Sequence, residues 1–428
     1  MVSVRRVGVE VIRRGLVVAF AVILAIFGLG FPVSAADDGF VTSSDQTLQL
    51  NGQPFTMLGF NLWRANVSFA LPNTGYLLNN GNALNQTLQD INANGGQMNT
   101  FRTWFLQQEV TPNGWRYNWA PFDKTLQVAA QNGFKVIAVL ADNWGYEGPP
   151  QKTYNWYRRG YMTEVDSGTL NGVSYNENVP YLQYVHDVVS RYANNPTIAA
   201  WELVNEPDDQ NSDGTCSSSA GQVMLNFANR VGGMIKSIDP NHLVSLGAAG
   251  NGNCGTINGD YETVMASPNI DLCSFHDYEG ATNATAFNQW NGLNVRIGQC
   301  ADLDKPIYIG ESGIRVTDAA VNGDLQVRAN LLQAKMTAAF GMQGVVGYLP
   351  WHYDDRATGS SIDSFSYDAG DPALAVMDQF AAPTPTPTPT PTDTATPTPT
   401  ATPTPTDSPT DTPTDSPTPD PSDSSGDG

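Results

Sequence analysis

Eight short apolar, β-branched runs recur along this chain, and stretches of helical period separate them. They cover residues 54–61, 98–105, 135–142, 197–204, 242–248, 270–277, 306–312 and 344–351. Near-continuous apolar strands alternating with helices predict a parallel sheet covered on both faces. Eight such units are the count of a (β/α)8 TIM barrel, an α/β fold. A doubly wound open sheet is the alternative, but no glycine-rich phosphate turn follows the first run. Among the helical stretches, 324–341 has the plainest period, with Leu325, Ala329, Leu332, Met336 and Phe340 on one face. Gly133, Asn194 and Gly341 stand where helix stops belong.

The two ends of the chain have a different character. Arg5, Arg6, Arg13 and Arg14 precede an apolar stretch from about Leu16 to Val33, then Ser34, Ala35 and Ala36. That order predicts an export signal, residues 1–35, cut after Ala35. An uncleaved anchor is the competing reading, since the apolar stretch approaches a membrane-spanning length. Residues 382–428 hold about half of the chain's 29 prolines, with Thr, Ser and Asp and no large apolar side chain. Such a segment cannot bury enough surface to fold and reads as an extended, disordered tether. The predicted catalytic domain is therefore 37–381.

Charge and cysteines narrow the function. A net charge of −21 argues against nucleic acid as a partner, because phosphates demand basic surface. Four cysteines, Cys216, Cys254, Cys273 and Cys300, all lie beyond the export signal, which favours disulfides. Three pairings are open. Cys216–Cys254 with Cys273–Cys300 is preferred, because the first two sit in Gly/Ser/Asn-rich loops that a bridge would staple. A zinc site lacks the Cys-x-x-Cys or paired-His spacing it would need.

In a barrel of this kind, functional side chains project from the C-terminal ends of the strands. Position alone then selects Asn61, Trp63, Arg102, Trp104, Asn143, Trp144, Asn205, Glu206, His276, Tyr278, Glu311, Trp351 and His352. Each has a bland reading: a capping carboxylate, a structural ion pair, a core indole. Together at one end of one barrel they make a carbohydrate site, with acids for the bond and aromatic faces for sugar rings. Retaining hydrolysis of a glycoside needs one acid for the leaving oxygen and a second carboxylate about 5–5.5 Å away for the anomeric carbon. Glu206 lies two residues past the fourth run and Glu311 next to the end of the seventh, so they can face each other across the mouth. Arg102 is expected to keep Glu311 ionised, while an apolar wall and the like charge keep Glu206 protonated.

The segments WELVNEP (201–207), IYIGESG (307–313), FRTW (101–104), SFHDY (274–278) and YLPW (348–351) resemble glycoside hydrolase family 5, retaining β-glycanases on a (β/α)8 barrel. The resemblance implies Glu206 as acid/base and Glu311 as nucleophile, with no cofactor and no metal. It implies that Asn205 bonds the sugar 2-hydroxyl, that Arg102 and Tyr278 hold the nucleophile, that His276 lies near the pair and that Trp351 floors the subsite of cleavage. RTW, DNWGYEGPP and NPTIAAWELVNEP are similar to the endo-β-1,4-mannanases of that family; Ser312 after the nucleophile departs from its usual aromatic. The expected protein is thus a secreted, extracellular monomer acting on a β-linked polysaccharide, mannan or glucomannan, with no membrane contact once the signal is removed. A β-glucanase, an inert sugar-binding barrel and a wall-attached structural protein are the competing readings.

Overall fold

The computed structural model describes residues 39–66, 81–93, 96–111, 116–145, 151–170, 173–280, 291–354 and 364–381. The expected export signal and the Pro/Thr tail lie outside these residues. A three-stranded antiparallel sheet comes first: β1 (Val41–Ser44), β2 (Thr47–Leu50) and β3 (Gln53–Phe55). The barrel strands are β4 (Met57–Asn61), β5 (Thr100–Trp104), β6 (Lys135–Val139), β9 (Ile198–Glu202), β10 (Leu243–Ser245), β11 (Cys273–Asp277), β12 (Ile307–Ser312) and β13 (Val345–Tyr348). A small hairpin, β7 (Ser167–Leu170) and β8 (Val173–Asn176), is inserted after β6.

Each barrel strand falls inside one of the eight apolar runs. They hydrogen-bond in the order β10-β9-β6-β5-β4-β13-β12-β11, parallel wherever neighbours pair. A parallel bridge between Ser245 and Leu272 joins the two ends of this list and closes the ring. Helices cover the outside, among them Ala120–Gln131, Tyr181–Tyr192, Ala220–Ile238 and Leu325–Phe340. The last starts on Asp324, whose carboxylate accepts from the Gln326 and Val327 amides and so satisfies two unpaired donors. Within it Ala329, Leu332 and Met336 are buried, whereas Leu325 is exposed.

Period-two alternation divides the strands' side chains between two cores. Leu58, Phe60, Phe101, Val136, Ala138, Trp201 and Ile309 pack outward against the helices. Met57, Ile137, Ala200, Leu272 and Tyr308 fill the barrel interior, and Val41 and Leu48 of the N-terminal sheet join the same cluster. The interior is closed by apolar side chains at that end and becomes polar toward the other. Both expected disulfides are present, Cys216–Cys254 and Cys273–Cys300. Among the described residues, no helix is long and apolar enough to cross a membrane.

Candidate active site

A cleft of about 1140 Å³ opens at the C-terminal ends of the strands. Trp63, Trp104, Trp144, Asn205, Glu206, Tyr278, Glu311 and Trp351 line it. Arg102 and His276 lie just beneath, both fully buried. Glu206, His276 and Glu311 bring one ligating atom each within 4.8 Å of one another. A carboxylate oxygen of Glu206 and one of Glu311 therefore approach within 4.8 Å across the cleft. The same three side chains form the group that could hold a cation among the described residues.

Glu311 is fixed at both oxygens. Arg102 Nη1 donates to Oε1 at 2.7 Å and the Tyr278 hydroxyl donates to Oε2 at 2.8 Å. Arg102 is itself held by three other partners: Glu202 takes Nε at 3.0 Å and Nη2 at 2.6 Å, Asn205 Oδ1 takes Nη2 at 2.7 Å, and Asn61 Oδ1 takes Nη1 at 2.9 Å. Burial opposes the guanidinium charge, but Glu202 and Glu311 more than offset it, so Arg102 remains a fixed cation. Burial likewise raises the Tyr278 hydroxyl far above its usual range, reinforced by the Glu311 charge, so it stays a donor.

Glu206 is held differently. Its backbone is left-handed, at φ 50°, a region few non-glycine residues adopt. Its amide donates to Gly247 O at 2.9 Å, and its carbonyl accepts from Asn253 Nδ2 at 3.1 Å. Gly247, at φ 85°, has to be glycine, since a Cβ there would lie 2.1 Å from the Val204 carbonyl oxygen. The carboxylate receives Trp144 Nε1–H at Oε2 and lies against His276 Nδ1 at Oε1, both at 2.6 Å. His276 reaches this position through a register shift between Phe275 and His276, which sets it opposite Glu311 in the β11–β12 ladder.

The protonation pattern reverses the sequence expectation. Burial pushes the Glu206 carboxyl up, but the His276 bond and charge and the Trp144 N–H outweigh it and hold it below its ordinary value. Burial also pushes the Glu311 carboxyl up; His276 and Arg102 oppose this without cancelling it, and the Glu206 charge adds to it. The expected apolar wall beside Glu206 is in fact a histidine and an indole N–H, both donors to its carboxylate. Burial works against the His276 charge, yet the Glu311 charge and the Glu206 bond leave it raised.

Two other expected residues need comment. Asn143 does not line the cleft; its Oδ1 accepts from the Tyr157 hydroxyl at 2.7 Å and the Asp208 amide at 3.3 Å, behind Trp144. Asn205 spends its oxygen on Arg102 and one N–H on Asp142, leaving its second N–H as the group available to a sugar. Trp351 stacks on Trp63, with centroids 5.6 Å apart and planes at 27°. Trp63 is in turn fixed by its indole N–H, which donates to His352 Nδ1 at 2.5 Å, while His352 Nε2 meets Ser366 Oγ at 3.0 Å.

Glu202 and Tyr308 escaped the sequence reading. Both point into the barrel interior, and the Tyr308 hydroxyl donates to Glu202 Oε2 at 2.6 Å. A carboxylate at the inward phase of an apolar strand was the available signal: Glu202 sits two residues from Ala200 on the face that fills the barrel.

Comparison with known proteins bears on the family and the fold. The model of the cellulase family, glycosyl hydrolase family 5, matches residues 48–352. A probable mannan endo-1,4-beta-mannosidase C of Aspergillus terreus is 28% identical over 320 residues, 64% of this chain and 73% of that protein. A probable mannan endo-1,4-beta-mannosidase F of Neosartorya fischeri is 30% identical over 206 residues, 45% and 42% of the two chains. The chain thus spans from under half to about three quarters of the length of such relatives. The crystal structure of an endo-1,4-beta-mannanase from Rhizomucor miehei superposes with a TM-score of 0.56 at 22% identity, covering 79% of this chain and 97% of that one. The endo-beta-1,4-mannanase of Thermotoga petrophila gives 0.56 at 20%, with 77% of each chain covered. These likenesses speak for the barrel, and the match over residues 48–352 places the chain in glycosyl hydrolase family 5.

Proposed function

We propose that this chain is a secreted, retaining endo-β-1,4-mannanase, with Glu311 as nucleophile and Glu206 as acid/base. The carrying observation is the Glu206–Glu311 pair in an aromatic-lined cleft, their oxygens within 4.8 Å. The mannan-cleaving relatives support the polymer, and two disulfides support an oxidising destination.

In the first step Glu311 attacks the anomeric carbon and forms a glycosyl ester, while the bond to the leaving oxygen breaks and Glu206 supplies its proton. Before substrate binds, the carboxyl is held below and the imidazole above its ordinary value, which favours keeping that proton on the His276 side of the 2.6 Å Nδ1–Oε1 contact. A bound sugar expels water, which penalises the charged Glu206–His276 pair and favours the neutral one, with the proton on Glu206. In the second step Glu206 takes a proton from water, which attacks the same carbon and frees Glu311. Arg102 and Tyr278 hold the nucleophile's oxygens throughout. Trp351 supplies a flat face for the sugar whose bond is cut.

The family model's cellulase description favours one second reading, a β-glucanase using the same two residues. Incubation with mannan, glucomannan, cellulose and laminarin side by side separates the two. Mannan and glucomannan should yield short oligosaccharides whose reducing ends are first released in the β configuration. Release from cellulose or laminarin alone would replace mannanase with glucanase, and initial α-products would remove the retaining assignment.

A further inference from the structure

We infer that a second trough, about 670 Å³ in volume and outside the catalytic cleft, binds sugar units of the leaving portion of the polymer. The inference rests on the mannanase reading and extends it. Its walls are two segments, 151–155 and 210–213. They continue the same two loops that carry Trp144 and Glu206 into the cleft, because they follow β6 and β9. The acid must reach the leaving oxygen, so the leaving sugar lies on the Glu206 side and the retained sugar on the Glu311 side. Gln210 is four residues beyond Glu206, which puts the trough within reach of a polymer leaving the cleft on that side.

The lining suits a neutral sugar. Amides and hydroxyls such as Gln151 and Gln210 prevail, Tyr154 supplies a ring, and the two charged residues of the lining are engaged, Lys152 by Asp166 and Asp213 by Thr215. Tyr154 is also held in place: the Arg158 guanidinium covers one face of its ring, 2.9 Å from the centroid, and donates to the Tyr154 carbonyl at 2.8 Å. Arg158 pairs with Asp209 at 2.5 Å, and the Asp209 side chain is fully buried. A cation spent on locking one aromatic ring at the rim of a polar trough prearranges a stacking platform at small entropic cost. Asp209 ties that platform to the segment that follows Glu206 in sequence.

The test compares two substrates. 4-Nitrophenyl β-mannotrioside places a phenol on the leaving side and leaves the trough empty, whereas β-1,4-mannohexaose can extend sugars into it. Tyr154→Ala and Gln210→Ala should each lower kcat/KM on mannohexaose about tenfold, and on the aryl glycoside by less than about twofold. Tyr154→Phe should retain the wild-type value on both, because the platform needs the ring and not its hydroxyl. Equal losses on both substrates, or no loss on mannohexaose, would overturn the trough assignment. If the unaltered enzyme cleaved neither substrate, the mannanase reading itself would fall.

Discussion

Glu311 is a residue of strand β12, whereas Glu206 lies four residues past the end of β9 on a left-handed loop. The side of the proposed nucleophile is a closed charge frame inside the barrel: Arg102, Glu202, Tyr308 and Asn61 engage one another before Arg102 reaches Glu311. The side of the proposed acid/base is an assembly of loops. Asn253 holds the Glu206 carbonyl, the Cys254 amide donates to Asp208 Oδ1, and Cys216–Cys254 ties the two loops covalently. A group that must only attack is best made immobile. A group that gives up a proton and takes one back needs partners that accommodate both states, and His276 with Trp144 does that. One side is thus set by the sheet and the other by tertiary contacts between loops.

The harshest way to test this contrast is to remove each carboxylate. Glu311→Ala should lower kcat by at least about 10⁴-fold, since no other group lies where the glycosyl ester forms. Circular dichroism and melting should stay close to wild type, as Glu311 belongs to the cleft and not to either apolar core. Residual activity within tenfold of wild type would end its assignment as nucleophile. Glu206→Ala should cost about 10²–10⁴-fold on mannan, the usual worth of general acid–base help. On an aryl glycoside with a good leaving group, kcat/KM should fall far less, and azide should restore turnover as a β-glycosyl azide. Rescue at position 311 instead of 206 would exchange the two roles.

A gentler change probes the charge frame alone. Glu202→Gln keeps the shape but removes a buried negative charge beside Arg102. Glu311 must be ionised to attack, and burial raises its carboxyl, so wild-type activity should fall as pH drops through a value above 4.5. Without Glu202, Arg102 acts on Glu311 less opposed, its carboxyl moves down, and the acidic limb should shift about one pH unit lower. A less basic nucleophile should also lower kcat at the optimum severalfold. The alkaline limb belongs to the Glu206–His276 proton, which is lost as pH rises through a value above 6.5, and it should stay in place. A shift of both limbs together would mean that the frame and the acid/base side are one electrostatic unit.

The same division explains what was legible in the sequence. Eight strands, their order and the closed ring follow from run lengths and alternation, because those patterns reflect burial directly. Glu206 and Glu311 stood out as carboxylates at the ends of apolar runs. Glu202 did not, since the apolar run continues past it through Leu203 and Val204 and its partners arrive from β5 and β12, remote in sequence. The protonation pattern was hidden for a related reason. It depends on the register shift at Phe275/His276 and on the Trp144 rotamer, and neither leaves a trace in residue type. Asn143 was legible as a strand-end amide but not as one that turns behind Trp144 to carry Asp208.

The smallest predicted effect tests whether the acid/base side really depends on its loops. Asn253→Ala deletes the Nδ2 contact to the Glu206 carbonyl at 3.1 Å and the longer one to Pro207 at 3.4 Å. It leaves both carboxylates, His276 and Arg102 in place. One such hydrogen bond is worth about 1 kcal/mol, so kcat/KM on mannan should drop about fivefold. Because the change acts through Glu206, an aryl glycoside whose departure needs no proton should react at close to the wild-type kcat/KM. Glu311 lies across the cleft in a strand that Asn253 does not touch, so the acidic limb of the pH profile should not move. Equal losses on mannan and aryl glycoside would show that the loop supports the whole cleft, and that the separation between a sheet-held nucleophile and a loop-held acid/base is too sharply drawn.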